Sequence, residues 1–488
     1  MNAVVKGEES VVARLKARFA PGLVDALLPW LVAATLYLVV LVVGGNLLND
    51  PDSLWHISVA EWILANGLPT ADPFSFTFTG SPWISKEWLS QFLLLGAYKL
   101  AGWPGVGALS AAALAAAFGI LVRFLRQRLT PMAVISFVAV AFVLVSPHAV
   151  ARPHLLALPI MVAFVAGLVT AADDGKAPSF WLLPLMVIWA NLHAGFTIGI
   201  LMVAAVGLDA IVSAKAADRG RLAAKWVPFA VLAVVAGCFT PYGPESFIVT
   251  WRVLSLGPAL QIISEWRPPD FSTVGGLEIA LLGAIGFVLY RGFTLPPVRI
   301  VIVLGLLHLA LAAGRNGEIL GLLAPLFIAA PLARQVPAVA ADGRLRSAPL
   351  AAALLLAALV PLTAALALIN DYRPNPRVSP AAAVEAIVAA NPGPVLNDYE
   401  FGGYLISAGV PSFIDGRTEL YGGDFVARHY RAVTLADLKD FLTLLEEYRI
   451  GATLLTPQTP AVGLLDTLPG WRRLYADDVA IVHVRSTP

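Results

Sequence analysis

One cysteine, Cys238, occurs in 488 residues, inside an apolar run, so no disulfide framework organises this chain. Charge is equally scarce. Asp, Glu, Lys and Arg make up 13% of residues against 58% hydrophobic, and the formal net charge is +1. That balance excludes bulk electrostatic attraction to nucleic acid and has the composition of a membrane protein. The sequence also lacks a glycine-rich phosphate loop, a Cys/His metal framework and a Gly-x-Ser-x-Gly elbow, which argues against direct use of ATP. No small-residue cleavage site follows the first apolar run, so the N-terminus reads as a retained signal anchor.

What the chain has is long apolar stretches. Runs near 27–48, 104–122, 131–147, 153–171, 179–191, 195–213, 226–240, 274–290, 299–314, 318–333 and 348–369 suggest about eleven spans. Basic residues fall mostly to one side of them. Lys6, Arg14, Lys16, Arg18, Arg123, Arg126, Arg128, Lys176, Lys215, Arg219, Arg221, Lys225, Arg291, Arg299, Arg334, Arg344 and Arg346 make 17 on that side. Lys86, Lys99, Arg152, Arg252, Arg267 and Arg315 make 6 on the other. The positive-inside rule then places the N-terminus in the cytoplasm and the end of the last span outside. Residues 87–100 are apolar but short and carry Lys99; a span there would invert every later loop, so the segment reads as a helix at the outer interface.

Three regions follow: a cytoplasmic segment 1–26, a transmembrane core 27–370 with a large first outer loop 49–103, and an outer α/β domain 371–488. In the last, Pro394–Leu396, Ser412–Ile414, Ala452–Leu455 and Ala480–Val484 read as strands, and 379–390 and 435–448 as helices. The Ala-, Arg- and Pro-rich composition suggests a GC-rich bacterium, making the membrane the inner one and the outside the periplasm.

The chemistry-bearing side chains collect on the outer side. The densest group is Asn49-Asp50-Pro51-Asp52-Ser53-Leu54-Trp55-His56, with Glu61, Asp72 and Lys86-Glu87 after it. Later outer loops add His148, Arg152 and His154; Asn191 and His193; Glu245, Arg252, Glu265, Arg267 and Asp270; and Arg315, Asn316 and Glu318. The cytoplasmic loops read as short, basic and chemically plain. Polar groups beside a membrane are expensive unless functional or paired, so the one-sided collection points to an outward-facing site. Plainer readings stand beside this one. Asp50 and Asp52 suit the cap of a helix starting near Ser53, the tryptophans suit an interfacial belt, Arg152 and Arg315 suit lipid headgroups, and Glu265 with Arg267 suits a surface ion pair.

The order Asp52, helix 53–65, Gly67-Leu68-Pro69, then Lys86-Glu87 resembles the first-loop pattern of the membrane-embedded GT-C glycosyltransferases, in their aminoarabinose transferase and protein mannosyltransferase branch. Asn397-Asp398-Tyr399-Glu400-Phe401-Gly402-Gly403-Tyr404, followed by Ile414-Asp415-Gly416-Arg417, is similar to the Trp-Trp-Asp-Tyr-Gly signature of oligosaccharyltransferases, with Leu396 and Asn397 where the tryptophans stand. A bland alternative makes Gly402-Gly403 a strand-associated turn or bulge. The acid that many members carry in the second outer loop is absent from Ser146–His154.

The resemblance implies a polytopic helical, GT-C-like protein that moves a sugar from a polyprenyl-phosphate donor to the hydroxyl of a lipid, glycan or protein acceptor at the outer membrane face. It makes Asp52 the general base, with Asp50 and Glu87 assisting. Arg315 and Arg152, with His154 or His193, would hold the phosphate. His56, Glu265, Arg267, Asp398, Tyr399, Tyr404, Asp415 and Arg417 complete the expected substrate contacts. A divalent cation, Mg or Mn, is optional, with Asp50 and Asp52 as its expected ligands. Two other classes remain open: a transporter or flippase for a lipid-linked saccharide, and a non-catalytic protein of envelope assembly.

Overall fold

A computed structural model describes residues 21–341 and 348–486; most of the expected 1–26 segment lies outside them. The protein is a mostly helical, multi-pass membrane protein carrying a small C-terminal sheet. In chain order the helices are α1 (Pro21–Val42), α2 (Asp52–Asn66), α3 (Trp88–Arg126), α4 (Pro131–Val145), α5 (Pro153–Asp173), α6 (Leu182–Leu192), α7 (Phe196–Ser213), α8 (Ala216–Gly237), α9 (Glu245–Leu254), α10 (Gly276–Arg291), α11 (Pro297–Ala312), α12 (Gly317–Gln335) and α13 (Pro349–Ile369).

Eight helical segments among the described residues are long and apolar enough to cross a membrane. Leu182–Leu192 and Pro297–Ala312 are apolar but shorter; eleven residues of helix reach only about 16 Å against a hydrocarbon core of about 30 Å. Packing sorts the spans into inner and peripheral. The window around α12 is 78% buried and that of α13 only 6%, so α12 forms the centre while α13 leans on α1, where Tyr37 and Thr363 meet at 2.7 Å.

Helix α3 contains a sharp bend. Ala101 and Gly102 leave helical geometry, Gly102 with a φ of 63° that a side chain rarely tolerates. A Cβ on Gly105 would lie 2.2 Å from the carbonyl oxygen of Ala97, so the chain doubles back there. Residues 88–100 therefore form a separate helix of about 20 Å, and it stays at one end of the bundle. Trp88 bonds Asn191 at the end of α6, and Gly107 touches Tyr372 beyond α13.

The opposite end is less plain than the sequence suggested. Arg299 reaches Asp209 at 2.9 Å and Asp173 at 2.6 Å, Arg128 reaches Asp173 at 3.2 Å, and Arg126 reaches Asp25 at 3.1 Å. Basic residues counted as loop charges are thus partners of helix-end carboxylates, tying α5, α7 and α11 together; such pairs specify an arrangement more surely than they stabilise it.

Beyond α13, helices α14 (Ala381–Ala390), α15 (Gly402–Ser407), α16 (Thr418–Val433), α17 (Leu438–Glu447) and α18 (Pro460–Leu465) surround a sheet of β1 (Val395–Asn397), β2 (Ala452–Leu455), β3 (Trp471–Ala476) and β4 (Ile481–Arg485), in the order β1-β2-β4-β3. Strands β1 and β2 run parallel; the other pairings are antiparallel. Two expectations need correction. Ser412–Ile414 makes only a single bridge, Ser75 with Ser412, rather than a strand, and β3 was missed because its Arg-Arg pair breaks the apolar pattern. Gly402-Gly403 opens helix α15 rather than forming a turn or bulge.

The C-terminal domain is docked on the first long loop rather than hung from a linker. Phe76 N–H donates to the Ser412 carbonyl at 3.1 Å, Ser412 N–H to Phe74 at 3.2 Å, and the Thr77 hydroxyl to Phe413 at 2.7 Å. Phe78 meets Tyr421 and Phe425 edge-on.

Candidate active site

The chain breaks at the site end of the bundle are held by short hydrogen bonds between loops. Asp50 accepts from the Asp52 backbone N–H at 2.8 Å and so starts α2; the capping role of Asp50 is therefore real and coexists with any other. Ser53 donates to the Ala151 carbonyl at 2.9 Å, and Ala151 N–H to Leu47 at 2.8 Å. Gly314 N–H donates to the Arg267 carbonyl at 2.9 Å. These contacts bring residues 50–52, 152–154, 265–267 and 314–318 to one place.

Arg152 is the hub. Its Nε lies 2.6 Å from Asp50 Oδ2, Nη2 3.0 Å from Asp52 Oδ2, and Nη1 2.6 Å from Glu265 Oε2. The Nε contact is a close ion pair and not an aligned hydrogen bond. Glu265 turns its other oxygen to Arg315 at 2.6 Å, and Arg315 lies over the Trp266 ring at 4.8 Å. Glu265 is therefore bridged by two arginines and is not paired with Arg267, which instead donates to the carbonyls of Gln261 and Ile262. Burial opposes ionisation of Glu265, but Arg152 and Arg315 outweigh it and lower its pKa to about 2. Burial raises Asp50 to about 6 despite Arg152, and raises Asp52 as well. Burial alone would lower Arg152; its three carboxylates hold it well above its ordinary value.

Asp52 has its other oxygen on Trp55 Nε1 at 2.9 Å. Above it runs the C-terminal domain: a Cβ at Gly416 would fall 2.2 Å from Asp52 Oδ1, and one at Gly403 would fall 2.2 Å from the Pro51 carbonyl. These glycines permit a backbone approach that any side chain would block.

Beside the arginine cluster stands a second group centred on Glu87. His193 Nδ1 accepts from Gly195 N–H at 3.0 Å, so the network assigns its proton to Nε2, which faces Glu87 Oε1 at 3.6 Å. Gln91 holds His56 Nδ1 at 3.2 Å while accepting from Ser85 at 2.5 Å, so His56 Nε2 faces Glu87 Oε2 at 4.0 Å as a donor. Burial lowers both histidines well below their ordinary value, with Arg152 and Lys86 adding to the effect on His56. Glu87 is raised by burial against the opposing charge of Lys86. It is thus a buried carboxylate that faces two neutral imidazoles across gaps longer than hydrogen bonds. Further in, His154 Nε2 lies 3.1 Å from the His148 carbonyl and 3.6 Å from Glu318 Oε2, an oxygen with no hydrogen-bond partner among the described residues.

Among the expected site residues, Asp50, Asp52, His56, Glu87, Arg152, His154, His193, Glu265 and Arg315 come together. Tyr399 joins them, held well above its ordinary pKa by burial and by Asp52. Asp415 and Arg417 do not. Their side chains are wholly buried, Arg417 pairing with Asp415 at 2.7 Å and with Asp72 at 2.5 Å, while Ser412 and Tyr421 also donate to Asp415. The pair joins two parts of the chain and offers no face to a substrate. Asp398 is likewise spent on Thr456 N–H at 2.5 Å and Thr459 at 2.8 Å. Tyr404 lies on α15, where its carbonyl accepts from the Ser407 hydroxyl, and among the described residues its side chain makes no hydrogen bond to the cluster. Sequence reasoning passed over Glu318 and Glu400 as site residues; Glu400 stands exposed in the field of Asp52 and Arg152, and its place beside Tyr399 was the available signal.

Asp50 and Asp52 do not fit a divalent cation as arranged, because the Arg152 guanidinium occupies the space between them. Among the described residues no group of three His, Cys, Asp or Glu side chains is placed to hold a metal. No protein family matches the chain, and no curated protein resembles it.

Proposed function

We propose that this protein is a glycosyltransferase that moves a sugar from a polyprenyl-phosphate donor to an acceptor hydroxyl, at the periplasmic face of a bacterial inner membrane, within a GT-C-like core of about eleven spans. The observation that carries the reading is the adjacency of two unlike groups at one end of an apolar bundle: paired guanidinium groups, Arg152 and Arg315, and a lightly bonded carboxylate, Glu87. Arginine suits a phosphate that must be gripped bidentately. A carboxylate raised by burial suits a base that takes the acceptor proton. Asp52, fixed by Arg152 and Trp55, then orients, and shares the base role to the extent that Arg152 swings from it to the phosphate. Charge balance favours that swing: a donor phosphate replaces one carboxylate on each arginine. The tail would lie along the bundle and the sugar would point towards Tyr399.

One observation favours a different reading. Each nitrogen of the Arg152 guanidinium already has a carboxylate, as in a static joint of a non-catalytic assembly protein. Thermal unfolding of the purified chain in nanodiscs with a short polyprenyl phosphate separates the two. At a hundredfold excess over its dissociation constant the ligand should stabilise by about 2.7 kcal/mol, and Arg315→Ala should abolish the shift while leaving the unliganded protein folded. No shift in the wild type refutes the glycosyltransferase reading.

A further inference from the structure

A cavity of about 230 Å³ opens where three segments meet: Thr70 and Trp83 of the first long loop, Glu245 and Arg252 of α9, and Glu419 of α16. It shares no residue with the Arg152 cluster. Its charges are matched: Glu245 faces Arg252 at 3.6 Å, and Glu419 holds Lys86 at 2.5 Å. A charged ligand would unbalance it, whereas the carboxylates and guanidinium retain capacity to accept from and donate to hydroxyls. Pro82, Ile84 and Val249 supply an apolar side. Trp83 is 4% exposed, with its face covered by Arg417 at 4.8 Å. The volume is below that of a drug-sized site, so one ring fits.

We propose that this cavity binds a single neutral sugar ring, with the Glu245 and Glu419 carboxylates and the Arg252 guanidinium meeting its hydroxyls. Glu419 on the cavity wall holds Lys86, the chain neighbour of Glu87; use of the cavity as the acceptor's subsite rests on the proposed glycosyltransferase function, whereas the binding itself does not.

The test uses the full chain in nanodiscs free of glycoside detergent, with saturation-transfer NMR of the methyl glycosides of glucose, galactose, mannose and N-acetylglucosamine. At least one should receive saturation. Arg252→Ala and Glu245→Ala should each weaken it about tenfold, the loss of one charge-assisted hydrogen bond. Arg252 and Glu245 are 54% and 37% exposed, so folding tolerates both changes. Transfer to none of the four, signals unchanged in both variants, or a preference for glucuronate or glucosamine over the neutral rings overturns the proposal. A sugar that binds here in a chain without lipid-donor transfer leaves the subsite intact and removes only the enzymatic reading.

Discussion

Replacing Arg152 by Gln tests whether the hub works by charge. Three carboxylates lie 2.6, 3.0 and 2.6 Å from its guanidinium, whose side chain is 17% exposed. Removing one partner of a buried pair costs about 3–5 kcal/mol; partial exposure and the hydrogen bonds Gln retains reduce this to roughly 2–4 kcal/mol. For a chain of this length one kcal/mol moves a cooperative Tm by about one degree, so a loss of a few degrees is expected in nanodiscs. The pH dependence is the sharper readout. Asp50 already has a folded pKa of about 6, above its ordinary 3.8, so the folded state binds its proton more tightly than the unfolded chain, and this group's effect on stability worsens as pH rises from about 4 to 6. Without Arg152 the folded pKa values of Asp50, Asp52 and Glu265 all rise, and that window extends upward. The variant's deficit should therefore be largest near pH 8 and shrink by pH 5. A deficit equal at the two pH values would refute a charge-based hub and leave only lost packing.

Asp52→Asn and Glu87→Gln should each lower sugar transfer by about 10²–10⁴-fold, with unfolding temperatures close to wild type, because Asn can still accept from Trp55 and the imidazoles facing Glu87 stand beyond hydrogen-bond distance; full turnover in either variant removes that residue from the chemistry. Arg417→Ala should free the C-terminal domain from the first long loop, since it strands Asp72 and Asp415 wholly buried, and limited proteolysis should then cut within residues 72–80; unchanged protection would show that the backbone bonds at Ser412 suffice. Acid should weaken the Glu265 bridge: its folded pKa of about 2 lies below the ordinary 4.5, so its stabilisation is complete above about pH 4.5 and lost as pH falls towards 2. Glu265→Gln should flatten that limb of the stability profile.

Elements with strong local signals were readable in the sequence, and those set by distant partners were not. Helix α2 follows its Asp50 start and ends at Gly67, within a residue or two of expectation. Lys99 and the charge balance argued for reading 88–100 apart from the span after it, and the bend at Ala101-Gly102 does separate the two helices. Strand β3 was hidden because an edge strand with one neighbour carries Arg472 and Arg473 outward. Helix α15 was hidden because two glycines at a helix start look like a turn until Pro51 and Ile414 are seen against them.

The same division explains the site. Composition could place acids, histidines and arginines at one end of the bundle, because one-sidedness follows from alternating spans. It could not say which charges cancel. Asp415 and Arg417 are separated by one residue and looked like a presented pair, yet Asp72, 345 positions from Arg417, draws the guanidinium inward. Glu265 and Arg267 have the same spacing, and there Arg152, 113 positions away, takes the carboxylate and leaves Arg267 to loop carbonyls. Pairing in a poorly solvated site is decided by which partner can offer two aligned donors, and that depends on where the chain returns. Glu87 follows from this rule by subtraction. Asp50, Asp52 and Glu265 each meet an arginine, while Glu87 faces His56 and His193 and Glu318 faces His154, so these two carboxylates are the ones no guanidinium has taken and a substrate can still use.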